Sequence, residues 1–445
     1  MTPSIRFSLP ALALAVAASC GDGRDIVVGD DYEVVLDPLP VATNKVDVLV
    51  VVDNSGSIAA ERQAMIAAAG QSLFAQLTDD LGALPDLHVA VVSTDIEITS
   101  SVSVPGCGSS SANGRFRTGD TGVTCPVQGS YIFDSPDGSG GRTDNYDGTI
   151  ADAFSCFATL GQGGCGFEQP LEAVRRALDG RYAEHAGFLR PDAMLLIAIL
   201  TDEDDCSAYN GDVFGEPQAG PESPLGPRTS FRCFEFGVVC DPDQPRVHGA
   251  KTDCVPREDS AYITPVGDFT AFVSSLKTEP GLVMVAGMMG PADVVEVGGD
   301  QLQADLPALI PSCAVAGTQT GTTPPIRLAA FAESFPSRFV FENLCEATAA
   351  SERLRRVTRA TSGVMSRRPC LLGKVTPQTT TERCRAFDVT ATARTPIARC
   401  EGSATNCFTI GADAACEYTP SGLAATYRGT LPDGHRMVVE CLAAD

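Results

Sequence analysis

The chain is poor in positive charge, poor in histidine and, past its first residues, without any long apolar run. Against 56 Asp and Glu stand only 32 Lys and Arg in 445 residues, a formal net charge of -24. No basic stripe is present to neutralise phosphates, so nucleic acid is not an expected partner. The four histidines, His88, His185, His248 and His435, are far apart and form no His-Glu-x-x-His pair. Neither a Gly-x-Ser-x-Gly elbow nor a phosphate-cradling glycine loop occurs. We therefore expect no enzyme and no small-molecule cofactor. Two alternatives stay open: a secreted hydrolase or protease whose site only the fold assembles, and a structural component of an envelope complex. No internal stretch of about 20 apolar residues could cross a membrane.

Cysteine, by contrast, is plentiful, and the N-terminus says why. Residues 1–19 carry one charge, Arg6, then an apolar run over 9–18, then Ser19-Cys20. This is the pattern of a secretory signal. Residues 16–20, Val-Ala-Ala-Ser-Cys, resemble the lipobox of bacterial lipoproteins, which implies a lipidated Cys20 as first residue of the mature chain. Gly21 follows, not Asp, so the resemblance favours the outer membrane or cell surface. Of 17 cysteines, setting Cys20 aside leaves an even number. In an exported chain these read as disulfides, because the spacings lack the repeated Cys-x-x-Cys of zinc modules.

Along the chain, apolar strand patterns alternate with helical ones about six times. Strands are predicted at 46–52, 87–94, 193–200, 282–286 and 339–341, with an edge strand at 130–133. Helices are predicted at 58–77, 145–160, 168–178, 269–276, 326–335 and 347–361. The alternation predicts an α/β fold: a doubly wound, mostly parallel six-stranded sheet with helices on both faces. Gly-, Pro- and Cys-rich insertions interrupt it at about 99–142, 206–262 and 290–322. The first of these is expected to be stapled by Cys107 with Cys125. Residues 20–44 read as a tether. Residues 366–445, rich in Thr and holding six cysteines, read as a small Cys-rich β module that its own core would hold poorly.

The most informative stretch is 46–57, Val-Asp-Val-Leu-Val-Val-Val-Asp-Asn-Ser-Gly-Ser. A strand this apolar is buried on both faces. It ends in Asp53-x-Ser55-x-Ser57, directly before a helix. One carboxylate and two hydroxyls on a tight turn can face a single hard cation. The end of a central strand is also where open α/β sheets place ligands. The strand at 193–200 ends likewise in Thr201-Asp202-Glu203-Asp204-Asp205.

Asp53-x-Ser55-x-Ser57 resembles the metal-ion-dependent adhesion site of von Willebrand factor type A (vWA) domains, over residues 45–362. The resemblance implies a vWA/Rossmann-like fold in which Ser55 and Ser57 ligate a divalent cation, Asp53 and Asp202 complete the shell, and a protein partner offers a carboxylate. Mg²⁺ is the expected ion, with Mn²⁺ or Ca²⁺ as alternatives. The family's third element, a Thr after Gly-Gly, is replaced by Cys165 in Gly163-Gly164-Cys165. A thiol is too soft to serve Mg²⁺. Cys165 is expected in a disulfide, with Cys156 nearest. Glu168 could fill the empty position, or could simply favour its helix N-terminus. Asp204 and Asp205 are expected to be solvated rather than ligands.

Overall fold

The computed structural model describes residues 32–442 apart from 40–41, 101, 105, 109–111, 217–218, 278, 301–304, 315–320, 373–374 and 376–382. Cys20, the signal at 1–19 and the first part of the tether lie outside the described residues.

The central sheet has seven strands, in the order Phe339–Asn343, Val283–Met289, Met194–Leu200, Lys45–Val52, Asp86–Ser93, Ile132–Pro136, Arg142–Asp144. The first five run parallel, and the last two are antiparallel. The expected six strands are thus corrected to seven in a mixed sheet. The added strand, Arg142–Asp144, is fully exposed. It lacks the apolar run that marks the others, which is why its sequence reads as loop.

Among the described residues seven α-helices accompany the strands: α1 Ala59–Leu81, α2 Ile150–Ala158, α3 Pro170–Leu178, α4 Phe231–Gly237, α5 Val266–Ser275, α6 Ile326–Glu333 and α7 Ala350–Met365. Strand alternation sorts the core into two layers. Val46, Val48 and Val52 pack with residues of α1, α2 and α7, such as Met65, Phe154 and Val357. Leu49 and Val51 pack with α3, α5 and α6 through Val174, Phe269 and Phe331. The sheet is therefore covered on both faces, as near-continuous apolar strands require. Gly70 lets α1 approach α2 closely, since a Cβ there would collide with Ser155 Oγ.

All sixteen cysteines beyond Cys20 are paired. The partners differ from those expected in the first insertion: Cys107 joins Cys165 and Cys125 joins Cys156. Each bond ties the insertion to the segment before α3 or to α2, rather than closing the insertion on itself. Proximity in sequence misled here because the insertion folds back beside the Asp86–Ser93 strand, where Asn113 N donates to Asp95 O at 3.0 Å and Arg117 N to Val91 O at 2.7 Å. Eight disulfides belong to an oxidising compartment. No described helix is long and apolar enough to cross a membrane.

The second and third insertions build one antiparallel sheet together, in the order Pro307–Leu309, Val295–Gly299, Gly249–Pro256, Val238–Asp241. The C-terminal segment forms a sheet whose outer strand is Tyr32–Leu36, paired with Arg436–Leu442. Part of the predicted tether is therefore a strand. Residues 390–393 turn between the paired strands Cys384–Val389 and Arg394–Ile397. Cys370, Leu372, Cys416 and Tyr418 share a core with Leu354, Val357 and Met365 of α7, so the C-terminal segment is packed onto the main sheet's helices.

Candidate functional site

The ladder between the central strands continues one residue past their ends. Asp53 N donates to Leu200 O at 3.0 Å, Thr94 N to Val52 O at 3.2 Å and Thr201 N to Met288 O at 3.2 Å. This holds the turns after the Lys45–Val52 and Met194–Leu200 strands side by side.

Asp53 is fully buried, and its two oxygens are both engaged. Oδ1 accepts from Ser55 N at 2.8 Å, and Oδ2 accepts from Thr201 Oγ1 at 2.7 Å. The turn itself is clamped from behind by Arg62, in the first turn of α1. The residue is 4% exposed, and its guanidinium donates to Asp53 O at 2.8 Å and Ser55 O at 3.1 Å. Burial pushes the Arg62 pKa below its ordinary value, against the pull of Asp53 and Asp202. Ser55 Oγ and Ser57 Oγ are 2.9 Å apart, and Ser57 is exposed. Ser57 is near enough to the Asp202 carboxyl to hold its pKa down against the upward push of burial and of Asp53. The four residues named from sequence, Asp53, Ser55, Ser57 and Asp202, thus come together. Sequence reasoning missed Arg62, because a lone Arg on a helix looks like a solvated one.

Glu168 is brought to the same place. Cys206 N donates to Glu168 O at 2.8 Å, and Gln169 N donates to Thr94 O at 3.1 Å. These bonds pin the start of α3 to the strand ends. Glu168 is 1% exposed, and its carboxyl is near enough to the Glu203 and Asp53 charges to feel them. Burial, then the charges of Glu203 and Asp53, lifts the Glu168 pKa well above the carboxylate range. Burial with Asp53 and Glu203 raises Asp202 to about 8. Burial, opposed by the Glu168 hydrogen bond and joined by Asp53, raises Glu203 to about 7.

Cys165 takes no part. It is buried in its disulfide with Cys107, and its N–H donates to Asp95 Oδ1 at 3.2 Å. Asp204 and Asp205, expected to be solvated, are instead structural. Asp204 accepts from Arg327 N and Leu328 N, capping α6. Asp205 is fully buried, pairs with the buried Arg327 at 3.0 Å and accepts from Leu171 N of α3. Runs of acids read as solvent-facing only until tertiary partners are known. In the acidic stretch at 134–147, Asp134 is likewise taken up, by Arg142 and Tyr146.

The donors suit a hard cation, being carboxylate and hydroxyl oxygens. Asp202 Oδ1 and Glu168 Oε2 are buried acceptors without a hydrogen-bond partner. Such orphans are costly unless something fills them. Among the described residues no three His, Cys, Asp or Glu side chains stand grouped as a metal centre. The arrangement instead mixes acids with Ser55 and Ser57, and its acids bond to neighbours.

The chain matches no protein-family model and no curated protein. Among solved structures it is similar to the pilus adhesin SpaC from Lactobacillus rhamnosus GG in two crystal structures. One match has 11% identity and a TM-score of 0.33, and covers 91% of this chain and 40% of that one. The other, an open conformation, has 12% identity and a TM-score of 0.33, covering 91% and 39%. The chain thus spans about two fifths of that adhesin's length.

Proposed function

We propose that this is an exported, non-catalytic binding protein, lipid-anchored through Cys20 at the outer membrane or cell surface and built on a vWA-type domain. It engages a protein partner through a divalent cation (Mg²⁺, Mn²⁺ or Ca²⁺) held by Asp53, Ser55, Ser57, Asp202 and Glu168. The cation would supply Lewis acidity toward an acidic side chain of the partner. The single observation that carries this reading is the gathering of Asp53, Ser55, Ser57 and Asp202 at adjacent strand ends, with a buried Asp202 oxygen left unpartnered.

Each residue has a part. Arg62 fixes the turn carbonyls so that the Ser55 and Ser57 hydroxyls stay together. Thr201 orients Asp53 by donating to Oδ2. Ser57, exposed at the rim, leaves the partner's approach open.

The test is a pull-down from envelope extract with wild type and Asp53→Asn, each with and without chelator. Capture by wild type alone, lost on chelation, is the expected result. Capture that ignores both the chelator and the substitution would overturn the reading. Detergent partitioning and the mass of the N-terminal peptide test the lipid anchor separately.

A further inference from the structure

His185 stands apart from the strand-end site and holds the first insertion to the fold. It closes the turn Ala183–His185 that follows α3, and it is buried with both ring nitrogens engaged. Nδ1 donates to Ala177 O at 2.9 Å, among the last carbonyls of α3, which lack helical partners. Nε2 accepts from Phe116 N, in the insertion, at 3.0 Å. A backbone N–H can donate to Nε2 only while that nitrogen carries no proton. The imidazole lies flat on the Phe116 ring, with centroids 3.6 Å and planes 5° apart. Two neighbours complete the clasp. Tyr182 Oη donates to Asn113 O at 2.6 Å, and Arg115 pairs with Glu184 while lying 4.3 Å from the centre of the Tyr182 ring. Residues 113–116 are thus gripped by 182–185, and they lead to the rim of the candidate site. Ala112 N donates to Asp95 Oδ2 at 3.3 Å and Asn113 N to Asp95 O at 3.0 Å, while Asp95 Oδ1 accepts from Cys165 N at 3.2 Å. Gly164 in turn abuts Asn54, the neighbour of Asp53: a Cβ on Gly164 would come within 2.5 Å of Asn54 Oδ1.

We propose that the 182–185 clasp is an acid-released latch: a proton on His185 Nε2 expels the Phe116 N–H, frees the first insertion and loosens the rim of the site. The latch stands on these contacts and does not depend on a bound cation. The Phe116 ring keeps the imidazole from turning away, so a protonated Nε2 sets two donors face to face with no acceptor between them. The charged groups facing His185 are Glu184 on its own turn, Asp179 after α3 and Arg115 of the insertion. Burial is the largest influence and holds the His185 pKa below its ordinary value; the Ala177 carbonyl, Glu184 and Asp179 pull it up, and Arg115 adds to the lowering. A histidine with a lowered folded pKa contributes its full stability above about pH 6.5. That contribution is lost as pH falls from there through the folded value. His88 differs, because it stands 3.8 Å from Asp47 and a proton there meets a carboxylate.

The experiment is hydrogen–deuterium exchange of the full mature chain, corrected for intrinsic rate, across the range from neutral to mildly acid pH. It compares wild type, His185→Gln and Tyr182→Phe. Exchange is read segment by segment, because the buried acids at the strand ends move global stability the opposite way. Wild-type protection over 112–117 is expected to fall roughly tenfold between about pH 7.5 and about pH 5, and protection over 163–166 to fall with it. His185→Gln offers Phe116 N an acceptor that takes no proton, so it should show no such fall. Tyr182→Phe loses the bond to Asn113 O and should lower protection at both pH values while keeping the fall. Flat wild-type protection, or a His185→Gln variant with the full fall, would overturn the latch. A fall over 112–117 with none over 163–166 would overturn its reach to the site. Should His185→Gln fail to fold, the His185 ring resonances of wild type decide. Protonation below the ordinary range, in step with the loss of protection, supports the latch; protonation near about pH 6.5 with the insertion still protected overturns it.

Discussion

Asp47 lies near the start of the Lys45–Val52 strand and Asp53 directly after its end, six residues apart, which is about 20 Å. Both are wholly buried. At Asp47 every charge has an opposite. Arg190 donates to it through Nε and its backbone N–H, each at 2.8 Å, and Lys277 Nζ lies 3.2 Å from Oδ2. Arg190 also pairs with Asp86. At Asp53 the charges felt are those of Asp202, Glu168 and Glu203, and the Arg62 guanidinium is spent on backbone oxygens. A buried charge with its partners is framework. A buried group of like charges without them is a place where something else belongs.

The largest effect is expected at the paired end. Asp47→Ala leaves the buried Lys277 ammonium, and the half-buried Arg190 beside it, without this carboxylate and should cost about 3–5 kcal/mol in urea denaturation. A loss under about 1 kcal/mol would erase the contrast between the ends.

Next comes the pH dependence of the unpaired end, measured on chelated protein. Asp202 and Glu203 are raised to about 8 and about 7 in the folded state, above the roughly 4 of an unfolded chain. Between these values the folded state holds protons that the unfolded state has lost. The stabilisation is complete below about pH 4 and disappears as pH rises through the folded pKa values. The melting temperature of the chelated protein should therefore fall from pH 5 to pH 8, and saturating Ca²⁺ should remove most of that fall. A chelated protein that gains stability over this range would contradict the unpaired acid group.

Asp53→Asn keeps an oxygen for Ser55 and a similar shape while removing one of the clustered charges. It should change metal-free stability by no more than about 1 kcal/mol. It should also abolish the cation-induced rise in melting temperature, which for wild type corresponds to about 2.7 kcal/mol at a hundredfold excess over the dissociation constant. An undiminished rise in the variant would remove Asp53 from the site. The smallest effect is at the rim of the paired end. Lys45 and Asp192 form an exposed pair, so Lys45→Ala should cost less than about 1 kcal/mol by the same denaturation assay.

Sequence by itself determined the alternation of strands and helices, because a strand buried on both faces has to be apolar throughout, as residues 46–52 and 193–200 are. It also singled out Asp53, Ser55, Ser57 and Asp202, since a carboxylate and hydroxyls on a short turn can converge through local geometry alone. What joined these residues to Glu168, Glu203 and Arg62 was the lateral pairing of strand ends and the docking of α3, which no local pattern records. The same holds for the disulfides. Cysteine number announced full pairing, but only the path of the first insertion decided that Cys107 meets Cys165 and Cys125 meets Cys156. Asp204 and Asp205 looked solvated until α6 and Arg327 were seen to cover them. Tyr32–Leu36 looked like tether until Arg436–Leu442, some four hundred residues on, supplied its hydrogen-bonding edge. The physical reason is common to all of these cases: hydrophobic periodicity is written in neighbours along the chain, whereas charge compensation and strand pairing are settled between groups that only the folded chain brings together.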